Sequence, residues 1–311
     1  MPQKTISIIV PCFNEEGNID ELYSRVCKQF SGDNLNLSCE VLFIDDGSTD
    51  KTLQKIKSLA GHHPDVRYIS FSRNFGHQNA LKAGIDHACG DAVITIDADL
   101  QHPPELLRDM ISLWQEGYRV INTKRQDSRN QSLLKRILSG SFYRLLNLMM
   151  DTKIESGTAD FRLMDRKLIL ELRNLQEDYL FYRGLIPWMG FKQKTIEYLP
   201  DKRFSGKTKY SFRLSSEFAL TGITSFSIKP LRLSTLFGVF LAIISMAYAC
   251  YALYISVFTD RGVKGWTSVI VSVLFIGALQ LIILGILGEY LGKLFMESKR
   301  RPNYIIDETN I

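Results

Sequence analysis

The chain has 311 residues, a formal net charge of +5, 45% apolar and 23% charged residues. These values exclude a disordered, collagen-like or disulfide-scaffold chain, and the length admits one large domain or two smaller units. The five cysteines, Cys12, Cys27, Cys39, Cys89 and Cys250, are scattered and odd in number. No pair has metal-ligand spacing, so they read as reduced structural residues rather than a zinc site.

In chain order, residues 5–10 are apolar and β-branched and predict a buried strand. Asn14-Glu15-Glu16 and Gly17 open a helix to about residue 30. Residues 39–44 form a second strand closed by Asp45-Asp46-Gly47-Ser48, with a helix beginning at Thr49-Asp50. A third strand at 66–71 leads to a helix through about residue 87. A fourth at 92–96 leads to a helix from Pro103 to about Glu116, and a fifth covers 118–122. Strands alternating with helices in this way indicate a mostly parallel sheet covered on both faces.

The pattern then changes. No charged residue lies between Arg232 and Asp260, nor between Lys264 and Glu289. A bilayer core needs about 20 apolar residues in helix, and both runs exceed that. Two buried core helices are the alternative; the length and Gly238, Gly277 and Gly285 favour membrane spans. The start of the chain has no basic segment followed by a long apolar one, so no signal peptide is expected. Lys229 and Arg232 precede the first run. Lys293, Lys299, Arg300 and Arg301 follow the second, against Arg261 and Lys264 between them. This bias predicts a multi-pass protein of the inner (plasma) membrane, with the catalytic domain and both termini cytoplasmic.

In doubly wound sheets, ligands bind beyond the carboxyl ends of the strands. The polar residues there are Glu15, Asp45-Asp46, Ser72-Arg73-Asn74, Asp97 to Gln101, and Lys124-Arg125. Each alone could be turn chemistry; their convergence on one edge points to a site. Asp97-Ala98-Asp99 offers two hard oxygen ligands for Mg²⁺ or Mn²⁺ carrying a diphosphate, although Asp99 could instead cap the next helix. No Gly-X-Gly-X-X-Gly follows the first strand and no P-loop exists, which disfavours a dinucleotide oxidoreductase and a P-loop NTPase.

Several segments carry a resemblance. They are residues 9–16 (Ile-Val-Pro-Cys-Phe-Asn-Glu-Glu), 44–50 (Ile-Asp-Asp-Gly-Ser-Thr-Asp), 72–76 (Ser-Arg-Asn-Phe-Gly) and 97–104. Residues 157–163 (Gly-Thr-Ala-Asp-Phe-Arg-Leu), 205–211 (Ser-Gly-Lys-Thr-Lys-Tyr-Ser) and 287–292 (Leu-Gly-Glu-Tyr-Leu-Gly) complete the set. In this order they resemble the family 2 glycosyltransferases of GT-A fold, and within them the polyprenyl-phosphate glycosyltransferases. Bactoprenol glucosyltransferases look most similar and dolichyl-phosphate mannose synthases more distant. The resemblance spans essentially the whole chain.

The resemblance implies an α/β fold with a GT-A (Rossmann-like) mostly parallel sheet domain at 1–200. A basic loop and interfacial helices at 201–230, a two-helix transmembrane hairpin at 231–295 and a tail at 296–311 would follow. The implied reaction is inverting transfer of a sugar, first glucose from UDP-glucose, to a polyprenyl phosphate such as undecaprenyl phosphate for cell-envelope glycosylation. Other UDP- or GDP-sugars remain open as donors. Asp97, Asp99 and Gln101 would hold the divalent metal (Mg²⁺ or Mn²⁺) and diphosphate, with Asp99 the preferred direct ligand. Pro11, Phe13, Glu15 and Asp45 would face the nucleotide, with Asp46 a second choice or a turn residue; Arg73 would hold nucleotide or phosphate, its alternative being a solvated loop arginine, and Arg203 would contact the diphosphate. Asp160 would be the catalytic carboxylate, as base or orienting group. Arg125, Lys135 and Arg136 are candidates for the acceptor phosphate, their alternative being an ordinary basic helix face. The implied partners are a nucleotide-sugar donor, a polyprenyl phosphate and the bilayer, without nucleic acid; a homo-oligomer is left open. A processive polysaccharide synthase is disfavoured because no Gln-X-X-Arg-Trp occurs. Intact Asp97, Asp99 and Asp160 argue against a non-catalytic scaffold. The lack of intramembrane charge argues against a transporter subunit.

Overall fold

The computed structural model describes residues 3–31, 37–126, 157–175, 177, 181–200, 227–258 and 266–311. Lys135, Arg136, Arg203, the basic loop at 201–211 and nearly all of the expected interfacial stretch at 212–228 lie outside these residues.

Eight strands form one sheet: β1 Lys4–Cys12, β2 Leu37–Asp45, β3 Val66–Phe71, β4 Ala92–Thr95, β5 Val120–Arg125, β6 Thr158–Asp165, β7 Gln193–Tyr198 and β8 Ile306–Thr309. Their order is β7-β5-β6-β4-β1-β2-β3-β8. β1 to β4 are mutually parallel; β6 lies antiparallel between β4 and β5, and β8 runs antiparallel along β3. β5 therefore points the same way as β1, and all five strand ends singled out in the sequence reach one edge. The chain reverses its spatial order at β1 and β4, where doubly wound sheets open a ligand crevice.

The soluble helices are α1 Ile19–Phe30, α2 Thr52–His62, α3 His77–His87, α4 Leu107–Gln115, α5 Arg166–Asn174 and α6 Tyr182–Trp188, with a 3-10 turn at Pro104–Leu106. Strand alternation sorts the core into two layers. Ile6, Ile8, Val10 and Phe43 pack with α1, α2 and α4 residues on one face. Ile9, Leu42 and Ile44 pack with α3, α5 and α6 residues on the other. A Cβ at Gly84 would come 2.3 Å from Ile9 Cγ2, so only glycine lets α3 lie this close to the sheet.

Two helix starts differ from expectation. α1 begins at Ile19 rather than near Asn14, because Asn14 adopts φ 55° and its side chain accepts from the Thr49 backbone N–H at 2.8 Å. α2 begins at Thr52, after Asp50 accepts the Thr52 N–H at 3.0 Å. Both residues are diverted into joining the β1 and β2 loops.

Two long helices, α7 Lys229–Phe258 and α8 Trp266–Ser298, contain segments apolar and long enough to cross a membrane, at Lys229–Tyr248 and Phe275–Ser298. These windows are 6% and 0% buried, which removes the core-helix alternative. The tail at 296–311 is more than a tail, since four of its residues are the edge strand β8.

Candidate active site

At the β2 and β3 ends lies a cleft of ≈ 530 Å³, bordered by Phe13, Asp45, Ser48, Ser70, Arg73 and Asp307, among others. Asp45 is 1% exposed and held by the Ser70 hydroxyl at 2.9 Å and the Ser48 N–H at 3.3 Å. Its neighbour Asp46 turns away and accepts the N–H groups of Phe75 (2.6 Å) and Gly76 (3.0 Å). Asp46 thus clamps the loop after β3. Gly47 completes the junction at φ +67°, where a Cβ would meet the Arg73 carbonyl carbon at 2.4 Å. The Arg73 guanidinium lies over the Phe75 ring at 4.0 Å and donates to the Asn74 carbonyl at 3.0 Å. Pro11 is buried within β1 opposite Ile44, so the cleft begins at Phe13. Glu15 accepts from the Asn18 amide at 2.6 Å ahead of α1 and does not line the cleft.

A second group of polar residues follows β4. His77, the first residue of α3, meets Asp97 Oδ1 through Nε2 at 2.9 Å, and His102 Nδ1 lies 3.6 Å from Asp97 Oδ2. Burial pushes the Asp97 carboxyl up, but the two imidazoles pull it down to about 2. Burial alone would lower His77; the Asp97 carboxylate raises it to about 8. Asp99 accepts the Gln101 N–H at 3.1 Å across buried Leu100, which sits at φ 59°. A branched, buried side chain in the left-handed region costs of order 1–3 kcal/mol and marks an imposed turn.

Asp160 on β6 is buried between two arginines. Arg162, 3% exposed, meets Oδ1 at 3.2 Å; Arg183 of α6 grips both oxygens, at 3.2 Å from Nε and 2.9 Å from an Nη. Burial pushes the Asp160 carboxyl up, and Arg183 and Arg162 override it, holding it far below the carboxylate range. A carboxylate held this way is a weak proton acceptor and a strong anchor. One carboxylate against two guanidiniums also leaves the group net positive. The Arg183 side chain is 26% exposed, so that charge reaches the surface of the site. Tyr198 of β7 packs edge-on to His102 and Phe161. Burial pushes its hydroxyl up to about 12, with Arg125 and Arg183 opposing and Asp97 and Asp99 adding to the shift. The field at Tyr198 therefore joins the β4, β5 and α6 residues into one neighbourhood.

His77, Arg162, Arg183 and Tyr198 are absent from the sequence-based set. His77 follows the Ser72-Arg73-Asn74-Phe75-Gly76 run directly, and Arg162 falls inside the 157–163 segment. Those positions were the available signals. Arg183 and Tyr198 have none, since only the packing of α6 and β7 brings them here. Among the described residues, no three His, Cys, Asp or Glu side chains gather to enclose a metal.

The chain matches the family model for glycosyl transferase family 2 over residues 7–173. It is 43% identical to an uncharacterized glycosyltransferase, YkcC, of Bacillus subtilis over 303 residues, covering 97% of this chain and 93% of that one. It is 42% identical to the bactoprenol glucosyl transferase of Shigella phage SfV over 301 residues, covering 97% of both. Among solved structures it is similar to the mannosyltransferase PcManGT from Pyrobaculum calidifontis in complex with GDP-Man and Mn²⁺. That match has a TM-score of 0.49 and 17% identity, over 96% of this chain and 84% of that one. From the family model over more than half of the chain and the relatives aligned over nearly its full length, the chain belongs to glycosyl transferase family 2.

Proposed function

We propose that this glycosyltransferase moves a sugar, with glucose from UDP-glucose as first choice, to the phosphate of a membrane polyisoprenol with inversion at the anomeric carbon. The observation that carries the reading is the coexistence of two features: a nucleotide-sized cleft beside paired carboxylates and an arginine-held Asp160, and two apolar helices on the same chain. The relatives named bactoprenol glucosyl transferase match over nearly the full length, helices included.

The nucleoside end of the donor would occupy the cleft at Phe13, Asp45 and Arg73. The diphosphate would then extend toward Asp97 and Asp99. These carboxylates fit a hard divalent cation: both are partly exposed, they lie one residue apart, and the strained Leu100 fixes the turn that carries them. By resemblance Asp99 is the preferred direct ligand, with Asp97 beside it and Gln101 supporting. Among the described residues no three His, Cys, Asp or Glu side chains are arranged to enclose a metal on their own, so the donor's phosphate oxygens would complete the shell. When bound, the ion stabilises negative charge on the departing diphosphate.

The acceptor nucleophile needs little activation, since a phosphate monoester has a second pKa of about 6. What it needs is cations that orient it and offset its repulsion from the donor. Arg183, held by Asp160, and Arg125 at the end of β5 would supply them, with Lys135 and Arg136 as further candidates. Asp160 then acts by orienting Arg183 rather than by taking a proton. Arg203 is proposed for the diphosphate. The two apolar helices would keep this edge at the head-group level, with both termini in the cytoplasm, because the acceptor's tail stays in the bilayer.

The test offers membranes containing the protein a panel of labelled UDP- and GDP-sugars with undecaprenyl phosphate. Label from UDP-glucose should enter the organic phase, and chelation of divalent ions should stop it. Absence of transfer from every donor would overturn the proposal.

A further inference from the structure

The border of the cleft includes one residue from far outside the domain that builds it. Asp307 belongs to β8, beyond both apolar helices, yet lines the cleft with Phe13, Asp45, Ser70 and Arg73. We infer that Asp307 is a specificity-determining residue of the donor site, accepting a hydrogen bond from the uncharged nucleoside of the nucleotide sugar.

Three observations carry this. First, β8 is fixed in place. Glu308 pairs with Lys57 at 2.5 Å, the Thr309 hydroxyl donates to the Tyr68 carbonyl at 2.8 Å, and Asn310 accepts the Tyr68 N–H at 2.6 Å. Just before the strand, Tyr304 stacks on Phe71 at 5.1 Å and donates to Asp86 at 3.0 Å. Second, the register shifts between Ser70 and Phe71: Ser70 faces Glu308 while Phe71 faces Ile306. Asp307 is the extra residue at that irregularity, and bulges of this kind re-aim a side chain beside a site. Third, the charge has a sense. The anionic diphosphate is assigned to the Asp97–Asp99 end, and with Asp45 and Asp307 set against Arg73, the single cation among the described residues on the cleft border, this end suits a neutral partner rich in hydrogen-bond donors better than a second anion. Ribose hydroxyls and the N–H of a base are such groups.

The geometry also links membrane and donor. Only residues 299–305 separate α8 from β8, so the end of the second apolar helix lies within about 30 Å of β8 along the chain.

The inference rests on the cleft being the nucleotide end of the donor site, and the experiment separates the two. Calorimetry on the full-length protein in detergent with Mg²⁺ would measure UDP and GDP binding to the parent, Asp307→Asn and Thr309→Ala. For whichever nucleotide the parent binds, Asp307→Asn should weaken affinity about tenfold, a loss of about 1.4 kcal/mol. Thr309→Ala, which loosens the strand but keeps the carboxylate, should stay within twofold. Simple charge repulsion predicts the opposite sign, because removing an anion near a nucleotide would tighten binding. Unchanged or tighter binding by Asp307→Asn would overturn the inference alone, as would equal losses in both variants. A parent that binds neither nucleotide would overturn the inference and the nucleotide assignment together.

Discussion

Asp160 shows how a single side chain acquires its role from its neighbours. The sequence marks it as a carboxylate in a family segment and leaves base and orienting group both open. With Arg183 and Arg162 on its oxygens it stays ionised, which supports the orienting role proposed for it. Asp160→Asn should lower turnover by about 100-fold, about 2.7 kcal/mol of transition-state stabilisation, while donor affinity changes less than twofold. Steady-state rates with calorimetric UDP-sugar binding check this; unchanged turnover would remove Asp160 from the mechanism. Asp165 makes the same point for stability. Its carboxylate is buried, accepts from Trp114 Nε1 and Arg119 at 2.8 Å each, and caps α5 through the Lys167 N–H at 3.0 Å. Burial pushes its pKa up, but these hydrogen bonds bring it below the ordinary value. Its stabilisation is therefore present above the unfolded pKa of about 3.9 and is lost as pH falls through the lower folded value. Asp165→Asn should cost about 1–3 kcal/mol at neutral pH, and the gap from the parent should close below about pH 4. Thermal unfolding across pH measures it.

At the scale of elements, the parallel half of the sheet was legible because buried strands are continuous apolar runs and their helices are amphipathic. β1 to β4 lie where their residues predict, and β5 starts two residues later than expected and runs on to Arg125. β6, β7 and β8 were not foreseen as strands. β6 carries Asp160, Arg162 and Asp165 in an otherwise apolar stretch, and β8 reads Ile-Asp-Glu-Thr, four residues with no bulk of apolar character. Their pairing depends on long-range partners that no local pattern encodes. The candidate site divides in the same way. Its acidic half, at the ends of β2 and β4, was visible as motifs. Its basic half, with Arg183 on α6, depends on tertiary placement. The loop junction at Gly47 was visible only as a turn signal, whereas its true constraint is the backbone of Arg73 pressed against it. Gly47→Ala should therefore destabilise the protein by about 1–3 kcal/mol and weaken nucleotide binding with it. Chemical denaturation and UDP calorimetry would show both; a fully stable variant with parental affinity would contradict the close approach.

Over the whole molecule, one chain carries a glycosyltransferase fold and a surface that water does not suit. Phe240, Ile243, Leu281 and Leu284 are each more than half exposed on α7 and α8, and exposed apolar patches of that extent mark an interaction surface. A bilayer meets that requirement over the length of both helices, so alkaline carbonate should leave the protein in the membrane pellet; release into the supernatant would contradict the spans. Asp307 returns the chain from these helices to the cleft at the β2 and β3 ends. On the proposed function, this edge of the sheet delivers sugar to a lipid phosphate. The most direct measurement supplies labelled UDP-glucose and undecaprenyl phosphate to vesicles carrying either the parent or Asp99→Asn, and follows label into the organic phase. Label should enter the lipid with the parent and fall to background with Asp99→Asn. Equal transfer by both, or label that remains in water with the parent, would rule out transfer to a lipid phosphate at this site.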